Sequence, residues 1–153
     1  MAKQVRRKPK GVEDNHLRTY YKWLILKRWD TNYHHVGNEL PAGDAKMKRF
    51  AANLKHKGKK PGFADITILE QKNGYGALFI ELKTETGSAS LEQLAFLHNV
   101  NNNGYLGVVA FGLDAAMKIT EWYMNESKEP MPVILKNRTR SGHVFEKVKE
   151  VYK

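Results

Sequence analysis

The chain has 153 residues, 41% of them hydrophobic, which is enough for one domain with its own core. It contains no cysteine, which excludes disulfide staples and thiolate metal sites, and no apolar run approaches the roughly 18 residues of a membrane span. The net charge of +10 is unevenly placed: residues 1–60 hold 16 basic and 5 acidic side chains, residues 61–153 hold 10 and 11. A basic half beside a neutral half points to a polyanionic partner, nucleic acid foremost; solvated surface lysines are the plainer alternative.

The start, MAKQVRRKPKG, reads as a flexible basic arm over residues 1–11. No apolar run follows it, which predicts no signal peptide and a cytoplasmic protein. From Glu13 to about Trp29, Leu17, Tyr20, Tyr21 and Leu24 recur at helical spacing, with Glu13 on the face of Leu17. Residues 32–38, NYHHVGN, predict a short strand. After a PAG turn, Asp44 is a candidate N-cap for a helix to about Lys57 that carries Lys46, Lys48, Arg49, Lys55 and Lys57 and ends at Gly58. Strands are expected over Ala64–Leu69 and Leu78–Lys83, joined by the turn signal QKNGYG.

Ser90, with Gln93 three residues later, forms a capping-box pattern opening a helix to about Asn101. NNNGY breaks it, Leu106–Phe111 is a short apolar strand, and Asp114 opens a last helix through Met124. Residues 127–153 form a C-terminal extension expected to pack on the same domain, and their final segment, HVFEKVKEVY, fits either a strand or a helix. There is no internal repeat and no linker. Residues 12–126 thus read as one α/β domain, a small mixed sheet flanked by helices in the order αβββαβ.

The segment FIELK, 79–83, sets the chemical question. On a strand, Leu78, Ile80 and Leu82 point one way, and Phe79, Glu81 and Lys83 the other. Both faces are apolar enough for a central strand, where a carboxylate without a partner costs several kcal/mol or takes up a proton. Glu81 and Lys83 could pair along the face, although such a pair is poor evidence for stability. Asp65, at the start of the neighbouring strand, is brought near Glu81 by the hairpin. Two close carboxylates repel unless a cation lies between them, and Mg²⁺ is the hard oxygen-seeking ion of phosphate chemistry. Asp65 alone could equally be an ordinary turn residue. His34 and His35 are adjacent, so they point to opposite faces of a strand and read as strand residues or DNA contacts. Trp23, Trp29 and Trp122 read as core.

The ordered set GFAD (62–65), FIELK (79–83), SLEQ (90–93) and NGYLGVV (103–109), preceded by HHVGNEL (34–40), resembles the VRR-Nuc branch of the PD-(D/E)xK nuclease superfamily. The resemblance covers about residues 13–124, with Ala64 where the family usually has proline. It implies a restriction-endonuclease-like fold and a metal-dependent endonuclease. By the same resemblance, Asp65, Glu81 and the backbone carbonyl of Leu82 would bind Mg²⁺ or Mn²⁺. Lys83 would orient the attacking water or stabilise developing charge. Gln93 would contact the metal shell or a phosphate, or serve only as a capping-box residue. Glu13 would complete the metal site, with Glu39 competing for that role and Asp14 a poorer third. Lys46, Lys48, Arg49, Lys57, Lys59 and Lys60 would track the DNA backbone, or form a solvated surface. Stand-alone, phage-type relatives resemble Holliday-junction resolvases, which implies a homodimer acting on branched DNA.

Two other classes stay open. A non-catalytic nucleic-acid-binding module explains the basic half but gives Asp65, Glu81 and Lys83 no joint purpose. A basic structural protein, such as a ribosome component, shares that weakness.

Overall fold

The computed structural model describes residues 11–37, 44–140 and 143–153, apart from the side chains of 137–140 and 143–147. The basic arm up to residue 10 and Glu39 lie outside these. Ten elements follow in order: α1 (Val12–Lys27), β1 (Tyr33–His35), α2 (Ala45–His56), β2 (Ile66–Ile68), β3 (Leu78–Lys83), α3 (Leu91–Asn102), β4 (Leu106–Phe111), α4 (Leu113–Met124), β5 (Ile134–Arg140) and β6 (His143–Val151). The strands form one mixed sheet in the order β1-β2-β3-β4-β6-β5. β3, β4 and β6 run parallel; the other neighbours are antiparallel.

The sheet is larger than the sequence suggested. The final segment, open between strand and helix, is strand β6, and with β5 it extends the sheet beyond β4. β2 is shorter than expected: Ala64 and Asp65 precede its ladder. α4 begins one residue before Asp114, with Gly112 at its N-cap. The β2–β3 connection turns as its sequence requires. Asn73 and Gly74 both have positive φ, and Lys72 and Tyr75 exchange backbone hydrogen bonds, the arrangement of a primed two-residue turn.

Every residue of β3 and of β4 is buried, as befits central strands covered on both faces. On one face, Leu78, Ile80 and Leu82 meet Tyr20 and Leu24 of α1 and Ile119 and Tyr123 of α4. Tyr20 keeps its hydroxyl satisfied at Thr120 Oγ1, 2.5 Å away, so the aromatic ring enters the core without an orphaned donor. On the other face, Phe79, Val109 and Phe111 pack against Leu94, Leu97 and Val100 of α3. Each fully buried Leu or Ile contributes on the order of 2 kcal/mol. The sheet is thus the middle layer of a three-layer domain. Glu81 and Lys83 lie on its α3 side, near the C-terminal end of β3.

Candidate active site

The β2–β3 register pairs Ile66 with Ile80, so the residue before β2 arrives opposite Glu81. That residue is Asp65. Its Oδ2 accepts a hydrogen bond from the Leu82 backbone N–H at 3.0 Å, replacing the ladder bond that the short β2 does not make. Gly62 shapes the approach. It has φ +88°, and a Cβ placed there would lie 2.5 Å from the backbone of Glu92. Only glycine lets this loop pass against the first turn of α3.

That first turn carries Gln93 into the site. Ser90 Oγ accepts from Gln93 N at 3.2 Å and Gln93 Oε1 accepts from Ser90 N at 2.7 Å, so the capping box forms as the sequence indicates. The remaining amide hydrogens of Gln93 Nε2 point inward and donate to Glu81 Oε1. The two readings of Gln93 are therefore compatible: it caps the helix with one atom and holds the buried carboxylate with another.

Glu81 is fully buried and Lys83 is 8% exposed. Lys83 Nζ lies 2.5 Å from Glu81 Oε1, so the two charges do pair along the strand face. The pairing leaves Glu81 incomplete. Its Oε2 is buried and has no hydrogen-bond partner. Burial pushes the Glu81 carboxyl up to about 8; the neighbouring Asp65 charge adds to the shift and Lys83 offsets part of it. Asp65 is also raised, chiefly by burial, while Lys83 and the Leu82 N–H pull it back. The pair is short of positive charge even with Lys83 in place.

In front of Asp65 lies a cavity of about 220 Å³ lined by Glu13, Asp14, Leu17, His35, Gly37, Asp65 and Leu82. Glu13 enters from the first turn of α1. Its Oε1 is a second buried oxygen without a hydrogen-bond partner, and its charge raises Asp65 further. Asp14 reaches the same cavity despite lying about 100° further round the helix, because the cavity wraps the end of α1. Among the described residues, no three His, Asp or Glu side chains form a ready metal cluster. The oxygens available to an ion are those of Asp65 and Glu81, the Leu82 carbonyl beside them, and Glu13 across the cavity.

The chain matches the VRR-NUC domain model over residues 12–112. It belongs to the VRR-NUC family. The family is nuclease-type, so DNA is the expected class of substrate. A solved structure described as a VRR_NUC domain protein is similar with a TM-score of 0.63 and 24% identity; the match covers 75% of this chain and 89% of that one. The shared architecture is that of the restriction-endonuclease-like fold. No curated protein matches the chain.

The VRR-NUC match ends at Gly112, so β5 and β6 lie beyond it. Within it, Lys46, Lys48, Arg49 and Lys57 are exposed on or beside α2, and Lys60 is exposed in the following loop. Lys59 is half-buried and donates to the Gly37 carbonyl at 3.2 Å, which puts it on the cavity rim. Trp23, Trp29 and Trp122 pack against the core. His35, expected as a strand residue or a DNA contact, joins the site. Its Nδ1 lies 2.7 Å from the Asp65 carbonyl oxygen and its ring lines the cavity. The β1–β2 pairing of His35 with Ile66 brings it there, a relation that the local sequence does not carry.

Proposed function

We propose that this VRR-NUC protein is a Mg²⁺- or Mn²⁺-dependent endonuclease that hydrolyses DNA phosphodiester bonds. The observation that carries the reading is the fully buried Glu81 beside the Asp65 carboxylate, with no protein donor on its Oε2 while Lys83 and Gln93 occupy Oε1. Such a pair is suited to receive a hard divalent cation. Asp65, Glu81 and the Leu82 carbonyl would hold the ion, with Glu13 joining them from α1. When bound, the ion supplies charge stabilisation at the phosphate and an acidified water.

The remaining roles belong to the chain itself. Gln93 fixes the Glu81 carboxylate from the end of a capped helix. His35 and the Leu82 N–H hold Asp65 at its backbone and side chain. Lys83 is the cation next to the reacting centre, suited to orienting the attacking water or stabilising the charge that grows on the phosphate. Lys46, Lys48, Arg49, Lys57, Lys59 and Lys60 would position the DNA backbone, Lys59 from the rim of the cavity. Branched DNA, cut by a homodimer in the cytoplasm, is the fuller form of the proposal; its support is the resemblance to stand-alone junction-cutting relatives. A purely binding protein would gain nothing from a buried acid and a half-buried one beside phosphate.

The test incubates purified protein with a labelled four-way junction and a matched linear duplex in Mg²⁺, Mn²⁺ or EDTA, beside Lys83→Ala. The expected result is metal-dependent cutting of the junction that is lost in the variant. Cutting both DNAs alike would remove the branch preference. Binding without cutting in either metal would return the protein to the binding class.

A further inference from the structure

Helix α2 is amphipathic, yet it has no buried residue. Met47, Ala51 and Leu54 are half-buried, and Phe50 on the same ridge is 53% exposed. At 100° per residue these four fall in one stripe, with Lys46 along one flank and Lys48 and Lys55 along the other. Lys46 and Phe50, four residues apart, are surface neighbours. A lone exposed phenylalanine needs no explanation. One framed by cations, on the helix that leads into the catalytic aspartate, does.

The end of α2 is tied to the site. Lys59 N bonds to Leu54 O at 3.0 Å, and Lys59 Nζ bonds to Gly37 O on the cavity wall. α2 therefore leads away from the rim of the cavity that holds Asp65, within reach of a polyanion seated there. Charge selects among occupants. A second copy of α2 would set its four cations against four more. An anionic bilayer would satisfy the charge, but not the link to the cavity.

We propose that α2 reads the substrate: its cations follow the phosphates while Phe50 stacks on an unpaired or unstacked base. The substrate class is then DNA with a single-stranded or branched segment, because the bases of an uninterrupted duplex offer no open face. This rests on the nuclease reading above and deepens it. The test measures equilibrium binding in EDTA of the full chain to a splayed fork, a single strand and a linear duplex, for the wild type, Phe50→Ala and Phe50→Tyr. Phe50→Ala should bind the fork and the single strand roughly tenfold more weakly, as loss of one aromatic–base stack predicts. Its duplex affinity should change less than twofold, and Phe50→Tyr should retain fork binding. No loss, or an equal loss on all three DNAs, overturns the proposal. So does loss of self-association in sedimentation, or of binding to phosphatidylserine vesicles, with DNA affinities unchanged. Because binding is read without metal, a wild type that cuts no DNA would sink the nuclease reading, while a fork-selective loss in Phe50→Ala would still support this one.

Discussion

Glu81 and Glu150 are both fully buried, and both stand beside Val109 in register, on either side of β4 and on the same face of the sheet. Their surroundings differ. Glu150 Oε2 accepts from Lys136 Nζ at 2.9 Å and from the Tyr152 hydroxyl, and Lys136 also bonds to that hydroxyl at 2.6 Å. The Tyr152 ring is stacked on Phe111, which anchors the group to β4. Glu81 has Lys83 and Gln93 on one oxygen, none on the other, and Asp65 as a like-charged neighbour. On the proposed reading, burial alone therefore does not mark a functional carboxylate. The mark is burial combined with an unfilled oxygen and a second acid.

The comparison breaks first on activity. Glu81→Gln should lower Mg²⁺-dependent DNA cutting by about 10³-fold, the scale of losing a charged group at the reacting centre. Glu150→Gln should leave the rate of the folded protein within about threefold, read by single-turnover cleavage. Comparable losses in both variants would mean that the two acids are not different in kind.

Stability should cross in the opposite sense. Glu150→Gln breaks an ion pair whose lysine side chain is 43% exposed, so it should cost about 2 kcal/mol rather than the larger loss of a wholly buried pair. Glu81→Gln removes a carboxyl that must take up a proton or carry a buried charge beside Asp65, and should raise the metal-free melting temperature above about pH 5. Urea or thermal unfolding in EDTA reads both.

Acidity sharpens the contrast. The folded Glu81 carboxyl is raised to about 8 from an ordinary value near 4.5. The folded state therefore holds its proton more tightly than the unfolded chain. The stability contributed is fully present below pH 4.5 and is lost as pH rises through 8. Metal-free protein should melt at progressively lower temperature from pH 5 to pH 9, and Glu81→Gln should flatten that slope. An unchanged slope in the variant would remove Glu81 as its origin.

The smallest effects come from trimming partners. Tyr152→Phe removes one donor from Glu150 and should cost about 1 kcal/mol without altering cleavage. Gln93→Ala should cost a similar amount through its lost cap, and should also slow cleavage by about tenfold because Glu81 loses a donor.

Much of this was legible locally. β3 and β4 are apolar runs bounded by turn residues, and their limits were read to the residue. The Ser90–Gln93 box announces α3, and the spacing of Asp65, Glu81 and Lys83 around a hairpin announces the acid pair. The rest depends on long-range partners. β5, ILKNRTR, has no period-two pattern, and β6, HVFEKVKEV, spaces Val144, Val148 and Val151 as a helix face would, so neither announces a strand. Glu150 acquires its meaning from Lys136 and Tyr152 across a hairpin. His35 reaches Asp65 only through the β1–β2 register. The inward reach of Gln93 follows from where α3 docks.

β3 lies in the middle of the molecule, covered by helices on both faces and flanked by strands on both edges, with all six residues buried. Its amides should therefore fall in the slowest-exchanging class, which opens only with the whole domain, in a native-state hydrogen-exchange measurement. The two groups that β3 contributes to the site therefore cannot be switched by fraying or local unfolding. On the proposed nuclease reading, control acts from the periphery, through α2 and the cavity rim, by deciding which DNA reaches a centre that stays assembled as long as the chain is folded.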